Sequence, residues 1–325
     1  MKLSFFIAAI LGLAVTTAII GYIGFGVVFA ALATIGWRGF TFLCLYAAIP
    51  YAILGTAWFA LVQGATLRQW GTLVWARLLR EAASELLPFT QVGGFVIGAR
   101  AAAIQGIGAT IALATTVVDV TTELIAQLGF TGLGITILIM HLGGEPAHGD
   151  LIDAAGVGLA LTTLGATGFI LLQRHGMGFI EEIARRFVPS AAAGAGELRI
   201  AFVKIYGRRG SLALSTTIHF CAWTASATGA WIALRLAGLQ IELTNVLAIE
   251  SLVFAVRTAT FFAPMGVGVQ EAAYALIGPI FGLGPEMSLA LSLIKRAREF
   301  AVGLPALLIW QGMEGRRLLA ERDGA

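Results

Sequence analysis

Residues 108–140 read GATIALATTVVDVTTELIAQLGFTGLGITILIM, and only Asp119 and Glu123 in that stretch are charged. A helix crosses the hydrocarbon of a bilayer with about 20 mainly apolar residues. This segment is long enough to cross and carries two carboxylates where none is cheap. It sets the class of fold, an all-α polytopic membrane protein, and it raises the functional question of what offsets those acids.

The rest of the chain agrees. Of 325 residues, 58% are hydrophobic and 12% charged, and the mean hydropathy is +0.88. Soluble domains run at about 45–50% apolar and about 25% charged. So little charge cannot coat a water-soluble surface, which excludes a soluble enzyme, a disordered chain and a nucleic-acid-binding domain. Cys44 and Cys221 lie far apart in apolar runs and form no disulfide framework or CxxC motif. No metal or cofactor motif is present. Gly266-x-Gly268-x-x-Glu271 lacks the strand and the last glycine of a nucleotide-binding run. The loop holding His141, Glu145, His148 and Asp150 matches no zinc spacing. His219, on an apolar helix, reads as a satisfied core residue.

Outward from residues 108–140, the apolar runs are Leu3–Tyr22, read as an uncleaved first span, then Ile23–Ile35 with a turn at Trp37-Arg38, and Phe40–Gln63. Downstream come Leu151–Leu172, Ser211–Leu236, Leu243–Phe262 and Met287–Gln311. Leu67–Leu87 interleaves Arg68, Arg77, Arg80, Glu81 and Glu85 with Trp70, Leu73, Trp75 and Leu79, and reads as an amphipathic helix lying at a membrane surface. The chain reads as one integral membrane domain over residues 1–325 with about eight segments. Two Gly/Pro-broken motifs interrupt it, at residues 86–106 and 263–284, each a crossing or a re-entrant dip. Both run from a proline through paired glycines to a charge, which suggests an internal repeat of the kind that builds midplane sites in transporters.

Basic loops face the cytoplasm. Residues 173–210 carry seven Lys and Arg, against three acids, and are therefore expected inside, together with the N-terminus and the C-terminal tail. Residues 141–150 carry no Lys or Arg and are expected outside.

Ten charged residues fall in apolar segments or at the breaks: Arg100, Asp119, Glu123, Glu250, Arg257, Glu271, Lys295, Arg296, Arg298 and Glu299. Five are acids and five bases. A charge at the centre of a spanning helix costs about 2.5–3.5 kcal/mol on insertion scales, so such residues face the bundle interior and pair. The remaining 16 bases and 13 acids then sit on loops and tails, where the net +3 sets orientation. Asp119 and Glu123, four apart on one face near Thr115, Thr116 and Thr122, require protonation or a base from another helix. Glu250 with Arg257, Lys295 with Glu299, and Arg296 with Glu299 share helix faces, and pairing along those faces is the expectation.

The block Pro264-Met-Gly266-Val-Gly268-Val-Gln270-Glu271-Ala-Ala-Tyr274, continued by Lys295-Arg296-Ala-Arg298-Glu299 and Gly303-Leu-Pro305, resembles the flippase-like membrane domain of the lysylphosphatidylglycerol synthase superfamily. The block Leu87-Pro88…Gln91-Val-Gly93-Gly94…Gly98-Ala99-Arg100 is similar to the first motif of its hopanoid-biosynthesis-associated branch. In that branch an acid usually follows the second glycine. Here Phe95 stands there, which deprives Arg100 of its local partner and leaves Asp119 or Glu123 as its expected counter-charge.

The resemblance implies a lipid translocase of the bacterial cytoplasmic (inner) membrane. Its partner would be a phospholipid or a hopanoid, with lipid-biosynthesis enzymes as protein partners and no nucleic acid. It implies no enzymatic activity, since no soluble aminoacyl-transfer domain is expected after the last helix. The expected headgroup cavity is lined by Arg100, Asp119, Glu123, Arg257, Glu271, Lys295, Arg296, Arg298 and Glu299, with Gly93, Gly94, Gly266 and Gly268 letting the backbone approach the lipid. A membrane enzyme or subunit for headgroup modification, and a non-transporting scaffold, are the competing readings.

Overall fold

The computed structural model describes residues 25–87, 90–143, 195–260 and 268–323, with a few isolated positions between 156 and 168. The expected spans Leu3–Tyr22 and Leu151–Leu172, Pro88, Gly266, and most of the 141–150 and 173–210 loops lie outside the described residues.

All regular elements among the described residues are helical. They are α1 (Phe25–Tyr46), α2 (Ala48–Phe59), α3 (Leu67–Leu86), α4 (Thr90–Ile104), α5 (Ala109–His141), α6 (Ala195–Gly207), α7 (Arg209–Leu236), α8 (Leu243–Ala259), α9 (Val269–Ile277), a 3-10 turn (Gly278–Phe281) and α10 (Pro285–Asp323). Residues 108–140 become α5 almost end to end. Ser211–Leu236 and Leu243–Phe262 become α7 and α8. The turn expected at Trp37-Arg38 is a kink inside α1, at Gly36 with φ 69°. By length and composition, Ala33–Phe59 and Ala109–His141 are long and apolar enough to cross a membrane.

Three apolar clusters hold the helices together. Phe40, Leu43, Leu234, Ile249, Tyr274 and Ile294 join α1, α7, α8, α9 and α10. Trp58, Leu79, Ala102, Phe300 and Leu307 join α2, α3, α4 and α10. Val118, Leu198 and Phe202 join α5 and α6. The long α10 reaches two of the three.

The polarity of the molecule is inverted. Trp37, Leu45, Met140, Leu276 and Ile309 stand exposed, while Arg77, Arg80, Asp119, Glu250 and Lys295 are buried. A water-soluble domain keeps Lys, Arg, Asp and Glu outside and exposes no such apolar surface. A bilayer reverses the preference at the periphery and leaves the bundle interior as the place for charge.

The structure corrects the reading of Leu67–Leu87. The segment is not a surface helix. Leu73, Ala76, Leu79, Ala83 and Leu86 are buried, and so are Arg77 and Arg80. Thr66 starts α3 with a capping box: its side chain accepts from the Gln69 backbone N–H, and its own N–H donates to Gln69 Oε1 at 2.9 Å. Trp70 sits at the exposed end and donates from Nε1 to Thr56 Oγ1 at 2.9 Å. The helix then runs into the interior between α2, α4 and α10.

The first break is also narrower than expected. Gly93 and Gly94 are helical, inside α4; α3 ends at an extended Leu87, and α4 ends before Gly106, at φ 101°. A Cβ on Gly94 would lie 2.0 Å from Ser84 Oγ and 2.6 Å from the Arg80 carbonyl oxygen. A Cβ on Gly98 would lie 2.9 Å from Arg80 Cβ. These two glycines, four apart, let α4 lie directly on α3, the small-xxx-small arrangement of membrane helices. Gly94 thus serves helix packing and not the lipid approach expected of it.

Candidate functional site: a buried seam of charge

On α3, Arg77, Arg80, Glu81, Ser84 and Glu85 recur at intervals of three and four, so they share one face. Asp119 and Glu123 oppose them from α5. Asp119 Oδ2 accepts from Arg77 Nη1 at 2.8 Å and from Arg80 Nη1 at 2.7 Å. The other nitrogens of the two forks reach Glu123, Arg77 to Oε1 and Arg80 to Oε2. Each of the two guanidinium groups thus bridges both carboxylates through charge-assisted hydrogen bonds. Glu81 adds a third acid, 2.9 Å from Arg77 Nη2. His219, on α7, closes the group with Nε2 3.0 Å from Asp119 Oδ1. The nearby threonines mostly turn back on their own helix: Thr116 Oγ1 donates to the Ala112 carbonyl at 2.7 Å.

Of the two alternatives for Asp119 and Glu123, protonation or a base from another helix, the structure supplies the bases, Arg77 and Arg80 of α3. The counter-charge of Arg100 is corrected. Arg100 donates to Glu314 near the end of α10, not to Asp119 or Glu123. Phe95 gains a physical reading as well. Its ring lies under the Arg80 guanidinium at 4.7 Å, a cation–π contact.

A second group lies between α8, α9 and α10. Lys295 Nζ donates to Glu250 Oε2 at 2.5 Å and to the Tyr274 hydroxyl at 2.6 Å. Tyr274 donates in turn to Glu250 Oε1. The lysine also faces the rings of Phe254 and Tyr274, at 5.4 and 5.3 Å. One turn before Tyr274, Glu271 does two jobs. Its Oε2 accepts the Gly268 N–H at 2.8 Å and caps α9, and its Oε1 accepts from Arg296 Nε at 2.9 Å. Gly268 has φ 81°, so its requirement for glycine is conformational.

A third contact joins the two groups. Arg257 of α8 grips both carboxylate oxygens of Glu85 on α3, at 2.6 and 2.7 Å. Glu299 lies within electrostatic reach of Glu85, Arg257, Arg298 and Arg296, and Arg298 Nη2 stands 3.9 Å from its carboxylate. Two further expectations are corrected here. Glu250 pairs with Lys295 and not with Arg257 along its own helix. Lys295 turns to Glu250 and not to Glu299.

Of the nine charged residues expected at the site, all but Arg100 fall along this seam. Its charges pair with one another, and Glu85, Arg257, Glu271, Arg298 and Glu299 keep partial exposure. Sequence reasoning missed Arg77, Arg80, Glu81, Glu85 and His219. It counted the first four with the aqueous flanks, so the split of charge between membrane and flanks shifts. The available signal was the three-and-four spacing on α3, read beside two acids that needed two bases.

A family model described as Lysylphosphatidylglycerol synthase TM region matches residues 9–306. No curated protein and no solved structure matches the chain.

Proposed function

The chain belongs to the family of the lysylphosphatidylglycerol synthase TM region, and on that footing we propose that it moves a polar lipid between the leaflets of a bacterial cytoplasmic membrane. The observation that carries this reading is the seam: buried charges paired across α3, α5, α7, α8, α9 and α10 inside an apolar exterior. A headgroup crossing hydrocarbon loses its hydration, and charge-assisted hydrogen bonds are what can replace it. Cross-helix pairs suit this task because a small shift of one helix frees a partner for the headgroup. Arg257, Glu271, Arg298 and Glu299 keep some contact with the surface and would meet the headgroup first, with Arg296 behind Glu271. The lipid tails stay against the exposed Leu, Ile and Phe side chains. A hopanoid is the lipid favoured by the sequence resemblance. The protein acts as a transporter and not as an enzyme, in partnership with the enzymes that make its lipid, with its N-terminus and the 173–210 loop in the cytoplasm.

Reconstitution into liposomes with a labelled polar lipid in one leaflet tests this. Wild-type protein is expected to speed transbilayer exchange above that of empty liposomes. Glu271→Gln, which retains an acceptor for the Gly268 N–H, and Arg296→Ala are expected to slow it while thermal unfolding changes little. Equal rates for wild type, both variants and empty liposomes would sink the proposal.

A further inference from the structure

The group on α3, α5 and α7 is not balanced. Arg77 and Arg80 supply two positive charges, and Glu81, Asp119 and Glu123 supply three negative ones. Arginine does not give up its proton in proteins, so neither guanidinium can adjust. The remaining base is His219, with a side chain fully shielded from solvent. Its Nε2 faces an oxygen of Asp119, and a carboxylate can only accept, so Nε2 carries the hydrogen. Its Nδ1 is buried and has no hydrogen-bond partner among the described residues. An orphaned buried polar atom in a folded protein calls for an explanation. An excess of negative charge beside a free lone pair favours a bound proton and offsets the burial that opposes a charged imidazole.

Hydroxyl groups line the neighbouring helices. One helical turn from His219 on α7, Ser215 Oγ lies 2.9 Å from Thr122 Oγ1 of α5. Thr121 Oγ1 lies 3.4 Å from the Tyr206 hydroxyl of α6. Ser215 thus places a hydroxyl, able to donate or accept, one helical turn from the imidazole. The charged groups nearest His219 are Asp119, hydrogen-bonded to its Nε2, and Glu123, both on α5; Arg77 and Arg80 of α3 hold those same carboxylates, and Glu81 pairs with Arg77.

We infer that His219 is a proton-binding site, loaded and unloaded as lipid moves, so that H+ is a second ion handled by this protein. The inference rests on the transport reading for its role and on the charge imbalance for its location. The transfer is a simple one. A proton from water bonds to Nδ1, the imidazole becomes imidazolium, and the group goes from one net negative charge to none. The loaded group is self-sufficient and keeps α3, α5 and α7 together. The unloaded group holds one carboxylate in excess beside Asp119, whose oxygen accepts from both arginines, and this favours the rearrangement that opens the seam.

The test begins with protein carrying nitrogen-labelled histidine in liposomes, followed by solid-state NMR from about pH 5 to about pH 8, the range in which histidine titrates. The chain has four histidines. A variant with His141→Gln, His148→Gln and His175→Gln leaves His219 as the single imidazole, so assignment does not depend on the folding of a His219 variant. The expected result is conversion between the neutral Nε2–H form and imidazolium. One unchanging form across the range, whether neutral because Glu81 holds the proton or permanently charged, would overturn the inference. A second arm imposes a pH gradient on liposomes with labelled lipid. Wild type is expected to change rate with the gradient, and His219→Gln, which can still donate to Asp119, to lose that dependence. A wild-type rate that ignores the gradient also overturns the inference. Wild type that moves no lipid sinks the transport reading instead, and the NMR titration then decides the proton site alone.

Discussion

The two charged groups solve the same problem in different ways. The one on α3, α5 and α7 is a network: two arginine forks share two carboxylates, with a third acid and a histidine attached. It sits on long helices, and α3 is fixed to α4 through glycines 94 and 98. The one on α8, α9 and α10 is built from pairs and triads that each sum to zero, Glu250 with Lys295 and Glu271 with Arg296. It hangs on α9, nine residues long and held between Gly268 and the 3-10 turn. A shared network is costly to disturb anywhere. Separate neutral pairs on a short helix can be exchanged one at a time. The first group therefore suits an anchor whose charge can be adjusted, and the second a gate. The two broken motifs look alike in sequence but are not alike in pairing: Glu271 meets the helix that follows it, whereas Arg100 reaches across to Glu314.

Substitutions can break this contrast. The largest effect is expected for Arg77→Met, which leaves Asp119, Glu123 and Glu81 with Arg80 alone. Removing one partner from a buried pair costs about 3–5 kcal/mol, and the readout is thermal unfolding of purified protein in detergent. Little loss would mean that the group is not a network. Lys295→Met comes next, at about 3 kcal/mol, because Tyr274 still donates to Glu250. Glu250→Gln combined with Lys295→Met is expected to recover most of that loss, whereas Asp119→Asn combined with Arg77→Met is not, since Glu123 and Glu81 remain. Equal recovery in both doubles would erase the distinction between network and pair.

The glycines sharpen the same contrast at smaller scale. Gly94→Ala forces α4 away from Ser84 and Arg80, an overpacking of about 1–3 kcal/mol, and adding Ser84→Ala should relieve only part of it, because the Arg80 carbonyl stays. Gly268→Ala meets open space and suffers only the positive φ, about 1 kcal/mol. A reversed order of these two melting shifts would show that the second motif, not the first, is the tightly packed one.

Phe95 marks where a family resemblance and the fold meet. An acid at that position would reach Arg80, whose guanidinium lies over the ring, and would add to a group already rich in acid. The aromatic ring offers Arg80 a face without another charge.

Much of the architecture is legible in the sequence. Apolar length located α5, α7, α8 and α10, and the cost of burying charge picked out most of the seam. Leu67–Leu87 was misread for a definite reason: a polar stripe of helical period has the same appearance whether it meets water or other charges. Only the presence of α5 and α8 opposite α3 tells the two apart.

The sequence by itself determined that the chain is helical, that it belongs in a membrane, and that its interior carries charge in near balance, because helix period and hydropathy are local properties. Tertiary structure alone decided which charge meets which. Asp119 and His219 are 100 residues apart, Glu85 and Arg257 are 172 apart, and Arg100 and Glu314 are 214 apart. Such pairings depend on how helices pack, and no spacing along the chain encodes them. Among the described residues the same packing left one imidazole nitrogen without a partner beside an excess of carboxylate, in a histidine that reads from the sequence as ordinary core.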